Sequence, residues 1–356
     1  MLISEIGEVN LIKRLAREAY LNPKEVLVGI GDDAAVTRLP GGKVLLITKD
    51  ILVEGVHFIK DCITPRQLGQ KALAVNISDI AAMGGTPKHV LTAVGLTPDT
   101  EVETVEELYR GIKDLCRLHC IHLVGGDTVR SPESMIISIT LLGEVEEEYL
   151  TLRSGAGVGD LIGVTGYLGA SGAGLDLLLE SRGRHINQIP HGGTGLDLLL
   201  ESRGPLSDHW QEEVIKAHLE PPVRLEESRA LSRAGMVNAM IDLSDGIVKD
   251  LEEISRASGV GARIYMDRLP VSSATRKAAQ FLQRETVNYA LAAGEDYELL
   301  FTLKADKYEE FRRTVVEQLN TKITIIGEIV PEEKGLKMID EKGRERDFPP
   351  RGFIHF

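Results

Sequence analysis

Aromatic residues are scarce in this sequence of 356 residues: Phe, Tyr and Trp together make up 4%, with a single tryptophan. With so little surface for base stacking and a net charge of −13, the composition argues against a nucleic-acid interface. Cysteine is scarcer still. Cys62, Cys116 and Cys120 are the only three, too few for a disulfide framework, and they fit a reducing compartment. The spacing Cys116-x3-Cys120-x-His122 lacks a second cysteine pair to complete four ligands, so these residues are read as core rather than zinc ligands. No apolar run reaches the ~18 residues that cross a bilayer. Met1-Leu2-Ile3-Ser4-Glu5 reads as neither a signal nor a transit peptide, and the expectation is a cytoplasmic protein with no membrane partner. A Gly-Lys-Ser/Thr phosphate loop and a complete dinucleotide fingerprint are also missing.

What is present is ordinary globular composition, 43% hydrophobic and 27% charged, in a chain longer than one core comfortably serves. Two domains are expected, 1–148 and 149–356, divided at the charged run Glu144-Val145-Glu146-Glu147-Glu148-Tyr149, which reads as a solvated linker. Helical spacing over 5–20, strands at Val26–Ile30 and Lys43–Ile47 around Pro40-Gly41-Gly42, and a helix opened by Thr64-Pro65 begin the chain. A strand at 89–96, a helix at 101–119 and strands at 121–124 and 135–142 follow, so the class is α/β (α+β). In the second half a strand over 159–166 enters a glycine-rich turn (Gly169, Gly172, Gly174), and glycines ahead of a helix can present N–H groups to phosphate. The decapeptide Gly174–Gly183 recurs without change as Gly195–Gly204. A local duplication is the expectation, one copy forming the domain's own helix and the other extending it or looping out.

Apolar, strand-like runs meet aspartates at five places: Ile30-Gly31-Asp32-Asp33, Ile47-Thr48-Lys49-Asp50, Ile77-Ser78-Asp79, Gly125-Gly126-Asp127 and Ile241-Asp242-Leu243-Ser244-Asp245. A single aspartate there is a turn or cap residue. Five pointing to one place repel each other unless a hard cation such as Mg²⁺ lies among them, and Mg²⁺ normally takes substrate phosphate oxygens as further ligands. His57 follows Asp50 closely and is open to either a structural or a substrate role. In the turn Ala293-Gly294-Glu295-Asp296-Tyr297-Glu298, Glu295 is the functional candidate, whereas Glu298 can face solvent.

Read together and in order, GIGDDAAV, DILVEGVHF, LAVNISDIAAMGG, LVGGDTVRSP, TGYLGASGAGL, IDLSDG and AGEDYELLFT closely resemble the motifs of the thiamine-monophosphate kinases, a family within the aminoimidazole ribonucleotide synthetase superfamily. The resemblance implies a two-domain fold of mixed sheets plus helices, dimerising through the N-terminal sheets, and ATP-dependent phosphorylation of thiamine monophosphate. It implies that Asp33, Thr48, Asp50, Asp79, Asp127, Asp242 and Asp245 hold several Mg²⁺ ions, with Asp33, Asp50, Asp79, Asp127 and Asp245 serving catalysis. Tyr109, Gly126, Asp127, Arg153 and Ser244 would contact ATP, and His57 and Glu295 the acceptor. Three departures stand out: Lys49 where a small hydroxyl residue is usual, Ala170 for an aspartate in the glycine turn, and Pro350 for an aromatic. Phe353 is the expected substitute for that ring. The alternatives are another ATP-using enzyme of the superfamily, which would carry a reactive cysteine near one terminus, or a non-catalytic acidic metal-binding protein.

Overall fold

The computed structural model describes residues 3–17, 19, 22–185 and 208–348. After helix α1 (Ile3–Ala16), six strands form the first sheet: β1 (Val26–Val28), β2 (Ala35–Leu39), β3 (Lys43–Val53), β4 (Thr86–Leu96), β5 (His122–Arg130) and β6 (Ile136–Glu146). Their order is β1-β2-β3-β6-β4-β5, antiparallel except for the β4–β5 pair. The expected hairpin partner of Lys43 is therefore corrected. It is β2, not the Val26–Ile30 run, that leads into the Pro40-Gly41-Gly42 turn.

Alternation decides the faces of this sheet. Val44, Leu46, Thr48 and Leu52 of β3, and Ile137, Ile139, Leu141 and Val145 of β6, are buried under helices α2 (Pro65–Ala82) and α3 (Val102–Leu118). Each fully buried isoleucine contributes about 1.5–3 kcal/mol. On the other face Ile51, Leu91 and Val129 are exposed. The charged run after Leu142 is no solvated linker, because β6 continues to Glu146 with Val145 only 1% exposed.

Helix α2 starts on a full capping box, Thr64 with Gln67, and has proline in its first turn. It crosses α3 closely at two glycines. A Cβ on Gly69 would lie 2.0 Å from the Leu108 carbonyl oxygen, and one on Gly111 1.9 Å from that of Arg66.

The second sheet is built from β7 (Leu161–Thr165), β8 (Val237–Asp242), β9 (Val260–Tyr265), β10 (Leu299–Leu303), β11 (Ile323–Pro331), β12 (Leu336–Ile339) and β13 (Glu345–Arg346), in the order β13-β12-β9-β11-β7-β10-β8 with β9–β12 the parallel pair. Its centre is β7, β10 and β11, and the edge strand β8 delivers Asp242. Helices α4 (Ala170–His185), α5 (His209–Leu219), α6 (Leu225–Arg233) and α7 (Ile247–Ser258) come next in chain order among the described residues. The first decapeptide copy lies in α4; the second falls outside the described residues, as do Pro350 and Phe353. No described helix is long and apolar enough to cross a membrane.

Candidate active site

Three carboxylates converge where the two sheets meet α2. Asp33, Asp79 and Asp242 each offer an oxygen, and these oxygens lie within 4.8 Å of one another. Asp33 comes from the turn after β1, Asp242 from the end of β8, and Asp79 from the C-terminal part of α2. The strand-end reading of Asp79 is therefore wrong: an apolar run as short as Val75–Ile80 does not by itself distinguish a strand from a buried helix. Asp50 and Asp127 likewise sit within β3 and β5 rather than at their ends.

The surroundings of this cluster favour a cation. The Thr48 hydroxyl donates to Asp79, and Ser78 Oγ donates to Asp242 Oδ2 at 2.6 Å. Arg153 meets Asp33 Oδ1 through Nη2 at 2.5 Å and Nε at 3.2 Å, and its backbone N–H donates to Asp32 Oδ2. Asp33 Oδ2 is buried with no hydrogen-bond partner among the described residues. Burial first, then the neighbouring carboxylates, pushes Asp79 well above the usual range and Asp242 up to about 7; burial alone carries Asp50 to about 6. A hard-oxygen set with an orphaned oxygen and an excess of negative charge fits Mg²⁺.

Next to the cluster lies a cavity of about 910 Å³, lined by Asp50, Asp79, Asp242, Ser244 and Asp245 as well as by Phe58, Ile63, Leu175, Leu178 and Leu219. His57 and Glu295 line it too. The Val53 N–H donates to His57 Nδ1, which places the ring proton on Nε2. Backbone hydrogen bonds from Glu295 to Ser244, from Tyr297 to Leu243 and from Leu243 to Glu298 lock the IDLSDG and AGEDYE segments together. Glu295 (φ 63°) and Tyr297 (φ 48°) both occupy the left-handed region, a strain that this locking sustains. Lys249 holds the Asp245 carboxylate at 2.6 Å, and Asp250 accepts from the Asp245 N–H.

Tyr109, Gly126 and Asp127 do not line this cavity. Asp127 pairs across the sheet with Ala93, Ser138 and Ile51, three strands or ~14 Å from β3, and on the uncovered face opposite to Asp50. Gly126 has a packing reason of its own, since a Cβ there would sit 1.8 Å from the Thr92 carbonyl oxygen. Tyr109 lies in a separate groove on α3 with Arg110, Lys113 and Arg117.

The glycine-rich turn is corrected. Gly172 and Gly174 lie inside α4, where a Cβ on Gly174 would come 2.0 Å from the Val214 carbonyl oxygen of α5. The helix start is already occupied by a carboxylate of the chain itself, with Gly169 N–H donating to Asp296 Oδ2 at 2.6 Å and Ser171 N–H to Oδ1. It therefore offers no open phosphate cradle. Glu298 does not face solvent either: 4% exposed, it accepts from Arg224 Nε and Nη2, each at 2.6 Å, and from Thr165. Lys49 reaches Ser138 Oγ on the uncovered face.

Several site residues escaped the sequence reading. Lys71, Asn76 and Ser78 share α2 with Asp79, and Lys71 is 1% exposed. The signal was legible as polar residues set into the apolar repeat of a helix. His218, ahead of Glu220-Pro221-Pro222, carried no such pattern.

The family profile "AIR synthase related protein, N-terminal domain" matches residues 31–145, and "AIR synthase related protein, C-terminal domain" matches residues 157–338. The thiamine-monophosphate kinase of Escherichia coli K12 is 36% identical over 354 residues, 98% of each chain. That of Aquifex aeolicus is 34% identical over 356 residues, 100% of each. Among solved structures, AaThiL complexed with AMPPCP and TMP superposes with a TM-score of 0.81 at 32% identity, covering 100% of this chain and 99% of that one.

Proposed function

Since this chain belongs to the AIR synthase related family, and within it to the thiamine-monophosphate kinases, we propose that it transfers the γ-phosphate of ATP directly to the phosphate of thiamine monophosphate, yielding thiamine diphosphate. The observation that carries this reading is the convergence of Asp33, Asp79 and Asp242 beside a cavity that is part acidic and part apolar. Acid residues and apolar walls side by side suit an acceptor with a charged phosphate and a ring system.

Asp33, Asp79 and Asp242, with Asp50, Thr48 and Asp245 around them, would hold Mg²⁺. When bound, the ions supply charge neutralisation between two anionic reactants. The chain's own residues do the rest. Arg153, which binds Asp33 behind the cavity lining, would meet phosphate oxygens once that carboxylate is neutralised, and Ser244 lines the cavity itself. The acceptor is a phosphate, already ionised at neutral pH, so no strong general base is required and none of the site carboxylates needs to remove a proton. His57 Nε2–H and the Glu295 carboxylate then orient the acceptor from the cavity wall.

Asp127 and Gly126 complete the nucleotide site in this reading only if a second copy covers the open face of the first sheet, so we place the active form as a homodimer; Tyr109, on α3 over the other face, stays outside that contact. Exposed Ile51, Leu91 and Val129 on the open face support the dimer. Sedimentation of the wild type as a dimer at micromolar concentration is expected, with Leu91→Lys shifting it to monomer; a monomeric wild type contradicts the dimer. A sequence with only three cysteines accords with a cytoplasmic location.

The function is tested by incubating the protein with Mg·ATP and either thiamine monophosphate or thiamine. Thiamine diphosphate from the monophosphate, no product from thiamine and no phosphorylated protein are expected. Turnover of thiamine alone, or an isolable phosphoenzyme on the reaction path, overturns the reading.

A further inference from the structure

Lys71 lines the cavity from the middle of α2, almost fully buried, although a buried ammonium is costly unless it is paired. Its Nζ lies 3.1 Å from Glu295 Oε2. His218, on α5, brings Nδ1 to 3.2 Å from the same oxygen and Nε2 to 3.5 Å from Lys71 Nζ. Ser171 Oγ stands 3.1 Å from His218 Nδ1. The proton positions follow from these contacts. An ammonium can only donate, so His218 Nε2 accepts from Lys71, the ring proton sits on Nδ1 and goes to Ser171 Oγ, and the neutral imidazole packs beside Glu295 Oε2 while holding the lysine on it. Both contacts fall on Oε2, which leaves Oε1 as the oxygen available to a ligand.

We infer that Lys71 and His218 are positioning residues for the acceptor: from α2 and α5 they fix the Glu295 carboxylate in its strained turn, so that Oε1 accepts a hydrogen bond from an N–H or amino group on the ring system of the phosphate-bearing acceptor. The inference rests on the kinase reading above. The electrostatics agree, since burial opposes ionisation of Glu295 while its basic neighbours, Lys71 foremost, hold that carboxyl below its usual range. Burial and the ammonium of Lys71 keep the imidazole neutral, with His218 pushed down to about 3. An apolar wall alone would sequester a heterocycle without selecting its orientation. A carboxylate with one oxygen committed to the protein discriminates between ring faces, and a site built to accept a hydrogen bond rejects analogues that lack the donor.

The test is a double-mutant cycle read as separate KM values for acceptor and for Mg·ATP. Lys71→Met and His218→Leu are each expected to raise the acceptor KM about 10- to 100-fold, the range of a lost charge-assisted hydrogen bond, while the KM for Mg·ATP stays within about twofold. His218→Gln, which keeps an acceptor oxygen near the position of Nε2, is expected to recover most of that loss. In a Glu295→Gln background, Lys71→Met adds less than about twofold, because the lysine acts through the carboxylate. If Lys71→Met fails to fold alone, the His218 variants and the Lys71→Met/Glu295→Gln pair, which removes both charges together, carry the same comparison. Effects that multiply independently of Glu295, or equal rises in both KM values, overturn the positioning role while leaving the kinase reading intact. A folded wild type with no turnover of thiamine monophosphate overturns both.

Discussion

Asp242 ends a strand, is 2% exposed, accepts from Ser78 and lies among other carboxylates, so its charge is opposed both by lost solvent and by its neighbours. The direction of its pH linkage follows. A carboxyl pushed up to about 7 in the folded chain keeps a proton that the unfolded chain has released near pH 4, so its contribution lowers stability as pH rises between about 4 and about 7. Asp50, pushed up to about 6, behaves alike over a narrower window. A divalent cation reverses this balance by favouring the ionised forms, and its binding in that window must displace protons. Arg153 relieves only part of the charge, being bound to Asp33 and close to Asp32. Sequence showed which carboxylates are adjacent, but not that Asp33 Oδ2 would be left without a partner, because that depends on folding distances.

At the scale of elements, α2 is the organiser. A single helix carries Lys71 to Glu295, Asn76 to the Asp50 backbone N–H, Ser78 to Asp242 and Asp79 to Thr48. Its position depends on the glycine crossing with α3. Gly111→Val, adding a branched side chain where even a Cβ meets the Arg66 carbonyl, is expected to cost about 3 kcal/mol or more and to lower activity by displacing the helix. Thermal unfolding checks this, and a wild-type Tm for the variant contradicts it. The start of α2 was legible from its capping box and the extents of α3 and α7 from their 3.6-residue apolar spacing, whereas the end of α2 was not, because its last turns read as a strand meeting Asp79. The chain after Leu142 was not, because charge on alternate residues of a half-covered strand looks like a linker until Val145 is seen buried between two glutamates. The glycines after β7 were misread for a related reason: in sequence, a glycine needed for close helix packing is indistinguishable from one that bares its N–H to an anion.

Over the whole molecule, residues remote in the chain meet only because two sheets approach α2 from either side, the first bringing Asp33 and Asp50 and the second Asp242, Asp245 and Glu295. Motif order along the chain was enough to identify the fold and to single out Asp33, Asp79 and Asp242, but it also drew in Asp127, which lies on the uncovered face, whereas His218, Asp296 and Arg224 contribute through tertiary pairs that no local pattern announces. The account stands on the acidic cluster being a divalent-cation site. Calorimetric titration of Mg²⁺ into the nucleotide-free protein at about pH 6 and about pH 8, with Asp242→Asn alongside, tests it most directly. Protons released at the lower pH, tighter binding at the higher pH and weakened binding by the variant are predicted. Binding indifferent to both pH and the substitution would contradict the account.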